Sequence, residues 1–348
     1  LIPLSGVLGS ILDALPHDGA LFAGRTGAVP LPDGRCLLVT PESASVVDAA
    51  VEPPDNAIPA PDEALPTRRP AYLDAYPLFG GPDLEGGCSF ADLWPRRDEP
   101  DGYVRRDPYT GGAIRVAQAF RAAASMGLAP AALSYQLRFG DPADPQAAYQ
   151  LKAAIQGMAD AAGMLQAPFV AGSLDLDPAR GLDPDLEVRA WAPSPAASGE
   201  GWGEGTQVLV IGRMTNDLSG SLCLGDQPGF PPAIDLVAEG RVLEVVRAIG
   251  GGVPLARGGL LLALAQCCGR VQLGVRVSPP AAWQDLSTAA VYFGEAQSRF
   301  LVFLPPARVS ALRELAGPLG VPVEELGTLG GRQLHIEGLI NLKVEELR

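Results

Sequence analysis

Histidine and lysine are nearly absent from this 348-residue chain, which has His17 and His335, Lys152 and Lys343, and no others. A Ser-His-Asp or Cys-His device would have to recruit one of those two histidines. His17 sits in an L-P-H-D-G turn and His335 alternates with apolar residues in Q-L-H-I-E, so both read as surface or packing residues. A Walker A loop needs Gly-Lys-Ser/Thr, and neither lysine has those neighbours, which excludes a P-loop nucleotidase. The five cysteines (Cys36, Cys88, Cys223, Cys267, Cys268) form no Cys-x-x-Cys pair, so neither a zinc site nor a disulfide framework is indicated. Long apolar runs are missing too. The longest, Gly258 to Cys268, falls short of the roughly 18 to 20 residues that span a bilayer and reads as a buried helix, with Cys267 and Cys268 as small core residues. No Lys/Arg cluster offsets a formal charge of −14, which excludes nucleic acid and anionic membrane surfaces as partners. The start carries no basic segment with a cleavage pattern, and the cytoplasm is the expected compartment. Leu1 in place of Met leads us to expect a processed chain or a piece of a longer one.

What is present suits a globular core: 47% apolar residues against 19% charged, with 42 Gly and 34 Pro to supply turns. A helix is expected over Leu4 to Leu15, then a hairpin with arms Ala20 to Leu31 and Arg35 to Thr40 turned by Pro32-Asp33-Gly34. Periodicity collapses between residues 41 and 100, a Pro-rich stretch that reads as a surface insertion or lid. From Gly111 the pattern alternates. Ile114, Ala117, Phe120, Arg121 and Ala124 mark a helix stopped by Gly127, and Ala131 to Phe139 a strand. Pro145 to Leu165 follows as a helix capped by Asp144, then Pro168 to Leu176 as a strand. A second block opens near Leu186, with strands at Glu187 to Ala192, Val208 to Gly212, Val271 to Val277, Val291 to Phe293 and Phe300 to Leu304. Its helices fall at Ile234 to Ile249, Gly258 to Cys268 and Arg308 to Leu319, and a last hairpin turns at Gly330-Gly331. The loop Gly199 to Gly205 lacks the strand–GxGxxG–helix setting and reads as a hairpin tip. Two α/β lobes follow, residues 1–180 with the insertion 41–100, and residues 181–348.

Several phrases carry a resemblance. D-P-Y-T-G-G-A-I-R-V-A-Q-A (Asp107 to Ala119) resembles the D-P-Y-x-G-G-x-x-A-V-A-E-A of the formylglycinamide ribonucleotide amidotransferase large subunit family. P-A-A-L-S-Y-Q-L-R-F-G-D-P (Pro130 to Pro142) is similar to its P-L-A-I-T-D-C-L-N-F-G-N-P. Leu151 to Ala162, P-F-V-A-G-S-L-D-L (Pro168 to Leu176), P-P-A-I-D-L (Pro231 to Leu236) and G-E-A-Q-S-R-F (Gly294 to Phe300) follow in the family's order. The match lies in that subunit's second half. It implies a two-lobed aminoimidazole ribonucleotide synthetase-like (PurM-like) α/β fold. In that fold the first lobe's mixed sheet pairs with a sister half, and the second lobe is an α/β sandwich. It also implies an ATP-dependent ligase of purine synthesis, in which one half catalyses and the other holds a structural nucleotide with magnesium. The implied partners are the sister catalytic half or a homodimer mate, with a glutaminase subunit beside them.

The departures fall on ligands. Tyr135 and Arg138 stand for the family's Asp and Asn. Val253, Pro254 and Arg257 replace the His, Asp and Glu of H-D-x-S-E-G-G-L, and Ala171-Gly172-Ser173 replaces S-G-N. Magnesium seeks hard carboxylate oxygens beside phosphate, so metal dependence is doubtful and no metal ligand or catalytic residue is assigned. The nucleotide-binding candidates that remain are Gly111, Gly112, Arg138, Gly172, Arg257, Gly258, Gly259, Glu295 and Arg299, for ATP or ADP. Arg138 and Arg257 either pair phosphates directly or are surface arginines. Three functions stay open: a degenerate half supporting a catalytic half, a part of the active ligase contributing Glu295, Gln297, Ser298 and Arg299, or a stand-alone small-molecule binder on the same fold.

Overall fold

The computed structural model describes residues 27–30, 36–39, 44–47, 102–192, 202–221, 231–336 and 339–347. Two compact units result. Residues 102–123 and 128–192, with the strands before residue 50, form the first, and residues 124–127 and those from 202 onward the second. The first contains β1 (Gly27–Pro30), β2 (Cys36–Val39), β3 (Ala44–Val47), α1 (Gly102–Arg106), α2 (Pro108–Ser125), β4 (Ala132–Phe139), α3 (Pro145–Leu165), β5 (Phe169–Leu176) and β6 (Asp185–Trp191). Its sheet runs β3-β2-β1-β5-β4-β6, with β5 parallel to both β1 and β4 and the remaining neighbours antiparallel.

Local chemistry sets these elements. Asp107 accepts hydrogen bonds from the Thr110 amide (3.1 Å) and hydroxyl (2.7 Å), which starts α2 at Pro108, three residues before the expected Gly111. Asp144 accepts from the Gln146 amide at 2.8 Å, Pro145 fills the first turn of α3, and Leu151, Ile155, Met158 and Ala162 are buried along one stripe. In β4 the alternation puts Leu133, Tyr135, Leu137 and Phe139 into the core, with Ser134, Gln136 and Arg138 on the other face.

The first unit differs from expectation at two places. β3 lies inside the stretch read as patternless and pairs with β2. The strand expected to open the second block is β6, which pairs antiparallel with β4 and closes the first sheet, so the first unit runs past residue 180. Leu4 to Leu15, the turn at Pro32-Asp33-Gly34 and the insertion apart from β3 lie outside the described residues.

The second unit holds β7 (Gln207–Ile211), α4 (Leu236–Ala248), β8 (Val253–Pro254), α5 (Gly259–Val271), β9 (Val275–Val277), α6 (Thr288–Phe293), β10 (Phe300–Leu304), α7 (Pro306–Ala316), β11 (Val323–Thr328), β12 (Gln333–Ile336) and β13 (Ile340–Lys343). They form one sheet in the order β11-β7-β10-β8 and another in the order β13-β12-β9. Helix α5 runs through its core, with Leu260 to Ala265, Cys267 and Cys268 all buried. Burial pushes both thiols up to about 12. No helix among the described residues is long and apolar enough to cross a membrane.

Three expectations are corrected in this unit. Val291 to Phe293 is helical, because Ser287 caps the turn by accepting from the Ala290 amide and the buried faces of Val291, Tyr292 and Phe293 pack in helical spacing. Helix α5 continues through Val271 until Gln272 turns left-handed at φ 58°, so the strand begins only at Val275. The glycines at 330 and 331 do not make a hairpin: β11 pairs with β7, whereas β12 leaves to pair with β9 and β13.

Helix packing in the first unit yields a stability test. A methyl group on Gly112 would lie 2.3 Å from the Ala154 carbonyl oxygen of α3, whereas one on Gly163 would meet nothing within 4 Å. Overpacking costs about 1–3 kcal/mol, and replacing a helical Gly by Ala gains up to about 1 kcal/mol. Gly112→Ala is therefore expected to lower the urea midpoint and Gly163→Ala to raise it slightly. The thiols give a second test. Cys267 and Cys268 are expected to resist iodoacetamide at pH 8 in the folded chain and to react once it is unfolded, because only the thiolate attacks.

Candidate functional site

The nine candidates divide between the units. In the first, Gly111 and Gly112 lie inside α2 rather than in a turn, and both serve close packing. An added methyl would meet the Val104 amide nitrogen at 2.5 Å from Gly111, and Gly112 is pressed on α3. Gly172 faces the Tyr135 ring across the β5–β4 register, and a methyl there would fall 2.2 Å from the ring's Cζ. Tyr135 is buried edge-to-face against Phe169, with ring centroids 5.4 Å apart, and burial raises its phenol above the ordinary range. A buried aromatic ring thus fills the space above Gly172. Arg138 stands opposite Asp185 on β6 and pairs with it at 2.5 Å, a half-exposed cross-strand ion pair.

The second unit brings Gly258, Gly259, Glu295 and Arg299 together around one turn, residues 294–299. Gly258 (φ 81°) caps α5, and its amide donates to Glu295 Oε1 at 3.1 Å; Glu295 is 2% exposed. Gly259 (φ 65°) is pressed against the carbonyl oxygens of Tyr292 and Gly294, so a side chain there would meet both steric and backbone strain. Arg299 is wholly buried. Its Nε donates to the Ala296 carbonyl (2.8 Å), Nη2 to the Gly294 carbonyl (2.7 Å) and Nη1 to Met214 Sδ (3.2 Å). Ser298 sits left-handed at φ 61° and donates to Glu239 Oε2 at 2.5 Å, and Gln297 Nε2 donates to the Glu295 carbonyl at 3.0 Å.

Glu239 and Met214 belong to this cluster and were not among the candidates. Glu239 was legible as an acid on an otherwise apolar stripe with Val242, Leu243 and Val246. Nothing in the sequence marks Met214. Arg257 precedes the α5 cap, is part-buried and has no hydrogen bond or ion pair among the described residues.

The arrangement is poorly equipped for a magnesium nucleotide. Val253 and Pro254 form β8, paired with β10 at Leu301 and Phe300, and offer no oxygen donor from their side chains. Tyr135, Arg138 and Arg257 supply no carboxylate, and among the described residues no group of three His, Cys, Asp or Glu could hold a metal ion. The residues do not fit that group. Two shallow surface depressions, of about 330 Å³ by Arg332, Gln333, Lys343 and Glu345 and about 450 Å³ by Asn216, Leu218 and residues 284–287, are lined by none of the nine candidates.

Residues 99–191 match the family "AIR synthase related protein, N-terminal domain". Phosphoribosylformylglycinamidine synthase subunit PurL of a Bradyrhizobium species is 33% identical over 280 residues, covering 74% of this chain and 36% of that protein. PurL of Anaeromyxobacter dehalogenans is 32% identical over 272 residues, covering 69% and 35%. The chain spans little more than a third of the length of these curated relatives. Among solved structures, Thermotoga maritima PurL complexed with FGAR has a TM-score of 0.61 at 19% identity, covering 72% of this chain and 44% of that one. PurLQS from the same organism has 0.60 at 20%, covering 71% and 43%. The aminoimidazole ribonucleotide synthetase-like α/β fold implied by the sequence is the fold observed.

Two arginines separate a buried brace from a surface pair. Arg299→Met is expected to cost about 3 kcal/mol or more, because three buried acceptors lose a charged donor. Arg138→Gln is expected to cost less than about 1 kcal/mol. Thermal unfolding of the two variants beside the parent chain decides it.

Proposed function

We propose that this chain, whose residues 99–191 match the AIR synthase related protein N-terminal domain, is a second-half module of a phosphoribosylformylglycinamidine synthase-like assembly. Its role is structural: it supports a catalytic half and performs no chemistry alone. One observation carries this reading. Most of the groups that would hold a nucleotide are already engaged within the chain: Gly111, Gly112 and Gly172 are filled by neighbours, Arg138 is paired with Asp185 at the surface, and Glu295 and Arg299 are buried in their own turn. A phosphate would have to displace these contacts and uncover groups that water does not reach.

The partner in this reading is a sister half, as the family resemblance implies, with a glutaminase subunit joining the assembly in the cytoplasm. The face of the first sheet opposite its core fits a polar partner. Ser134, Gln136, Arg138, Ser173, Asp175, Asp185, Glu187 and Arg189 are all exposed or part-exposed there, so contact would rest on polar complementarity more than on apolar burial.

Arg257 supports a second reading, a weak nucleotide site that survives at the start of α5, since it is part-buried and has no partner among the described residues. Calorimetric titration with ATP and ADP, each with Mg²⁺ and with EDTA, separates the two. The structural reading expects no binding up to millimolar nucleotide. Metal-independent binding abolished by Arg257→Ala would replace it with the second reading, and magnesium-dependent binding would overturn the mismatch argued for these residues.

A further inference from the structure

The three-stranded sheet of the second unit turns one face to the core and the other to solvent. Val275, Val277, Leu334, Ile336, Ile340 and Leu342 are buried, and Arg276, Gln333, His335, Asn341 and Lys343 alternate with them on the outer face. The strand registers set these five in two rows, with Asn341, His335 and Arg276 side by side and Gln333 beside Lys343. Each can donate a hydrogen bond and none is a carboxylate. Among the described residues none of these five side chains has a hydrogen bond or an ion pair. The outer face of the first sheet differs, because there Arg138 and Arg189 are already held by Asp185 and Glu187.

We propose that this face docks an acidic segment of a partner protein, whose carboxylates pair with Arg276 and Lys343 and accept from the amides and imidazole between them. Charge complementarity selects the occupant. An apolar partner would bury two cations without a counter-ion, and a basic one would meet like charge. Three flanking acids are engaged elsewhere. Arg313 holds Glu325 at 2.6 Å, Arg332 holds Glu345 at 3.0 Å, and Glu346 accepts from the Lys343 amide at 3.3 Å. That last bond occupies a donor on edge strand β13 that an added strand would need, so the partner lies across the face. Strands about 4.8 Å apart, with alternate residues about 7 Å apart along each, set Arg276 and Lys343 roughly 12 Å apart at the backbone. Two acids three or four residues apart in an extended segment span that distance. The depression of about 330 Å³ bounded by Arg332, Gln333, Lys343 and Glu345 lies at one corner of the face. The chain's charge of −14 acts weakly here, because charges beyond about 8 Å are largely screened at physiological salt. The proposal does not rest on the reading of the nucleotide groups.

Fluorescence anisotropy of a fluorescein-labelled peptide of alternating Glu and Ser, titrated with the full chain at low and physiological salt, tests this. Saturable binding that weakens with salt is expected, with none to the same peptide carrying Gln for Glu. Arg276→Glu and Lys343→Glu are each expected to raise the dissociation constant roughly tenfold or more, and Arg276→Gln to raise it less. Lys152→Glu, at an exposed position of α3, makes the same change in net charge and is expected to leave binding unchanged. Circular dichroism melts keep a folding defect separate, since all three positions are exposed. A glutamate peptide that fails to bind saturably, a glutamine peptide that binds as well, or a loss in Lys152→Glu as large as in Arg276→Glu would each overturn the proposal.

Discussion

A guanidinium that water cannot reach must find its acceptors within the chain, and this demand organises the second unit. Arg299 is wholly buried and directs its N–H groups to the carbonyl oxygens of Gly294 and Ala296 and to the sulfur of Met214. The turn therefore closes around its own arginine. Gly294 has little room to move, because a methyl there would meet the Ala290 carbonyl oxygen at 2.4 Å and that of Asp217 at 3.1 Å. With the turn fixed, Glu295 is held where it receives the Gly258 amide, and the Leu255 amide donates to the Arg299 carbonyl at 2.9 Å. These two bonds set where α5 begins. Since α5 is buried along most of its length, the core of the unit is registered on one charged side chain.

The first unit reaches the same end through close approach. Gly112 admits the Ala154 carbonyl, Gly157 the Tyr109 carbonyl, Gly140 the Gly181 carbonyl, and Gly172 the ring of Tyr135. Each glycine removes a Cβ at a place where backbone or ring lies within about 2.5 Å of its would-be position. Dispersion between such closely packed atoms is small per pair and large in sum. Tyr135 adds what a carboxylate in its place would not: an apolar ring against Phe169 and Gly172, sealing the surface between β4 and β5.

Much of this was legible because it is local. Asp144-Pro145 announces α3, and the alternation in residues 132–139 gives β4 and its buried face. The family motifs gave the fold, since their order along the chain survives where single residues have changed. The failures fall where a distant partner decides. Val-Tyr-Phe at 291–293 has strand-forming residue types, but the Ser287 cap and the packing of α6 against α5 make it helical. β6 joins the first sheet because its residues match β4, some fifty positions away, and no periodicity reports that register. Arg138, open in the sequence to pairing a phosphate or to being a surface arginine, has Asp185 beside it through the same distant register.

The same dependence on packing bears on how retained glycines are read. Gly111, Gly112, Gly172, Gly258 and Gly259 match a family in which a nucleotide is bound, and their survival suggests a surviving site. In this chain each has a reason to be glycine that needs no ligand: a helix crossing, an aromatic ring, a left-handed cap or a carbonyl pressed against the α-carbon. Substituting any of them would strain the fold whether or not a phosphate ever binds. The positions that do report on ligand chemistry are those whose side chains carry charge or oxygen, and there the chain has Tyr135, Arg138, Val253, Pro254 and Arg257. On the structural reading proposed above, folding alone is reason enough to keep the first set, and it accounts equally for Glu295 and Arg299, whose charged groups are spent within their own turn.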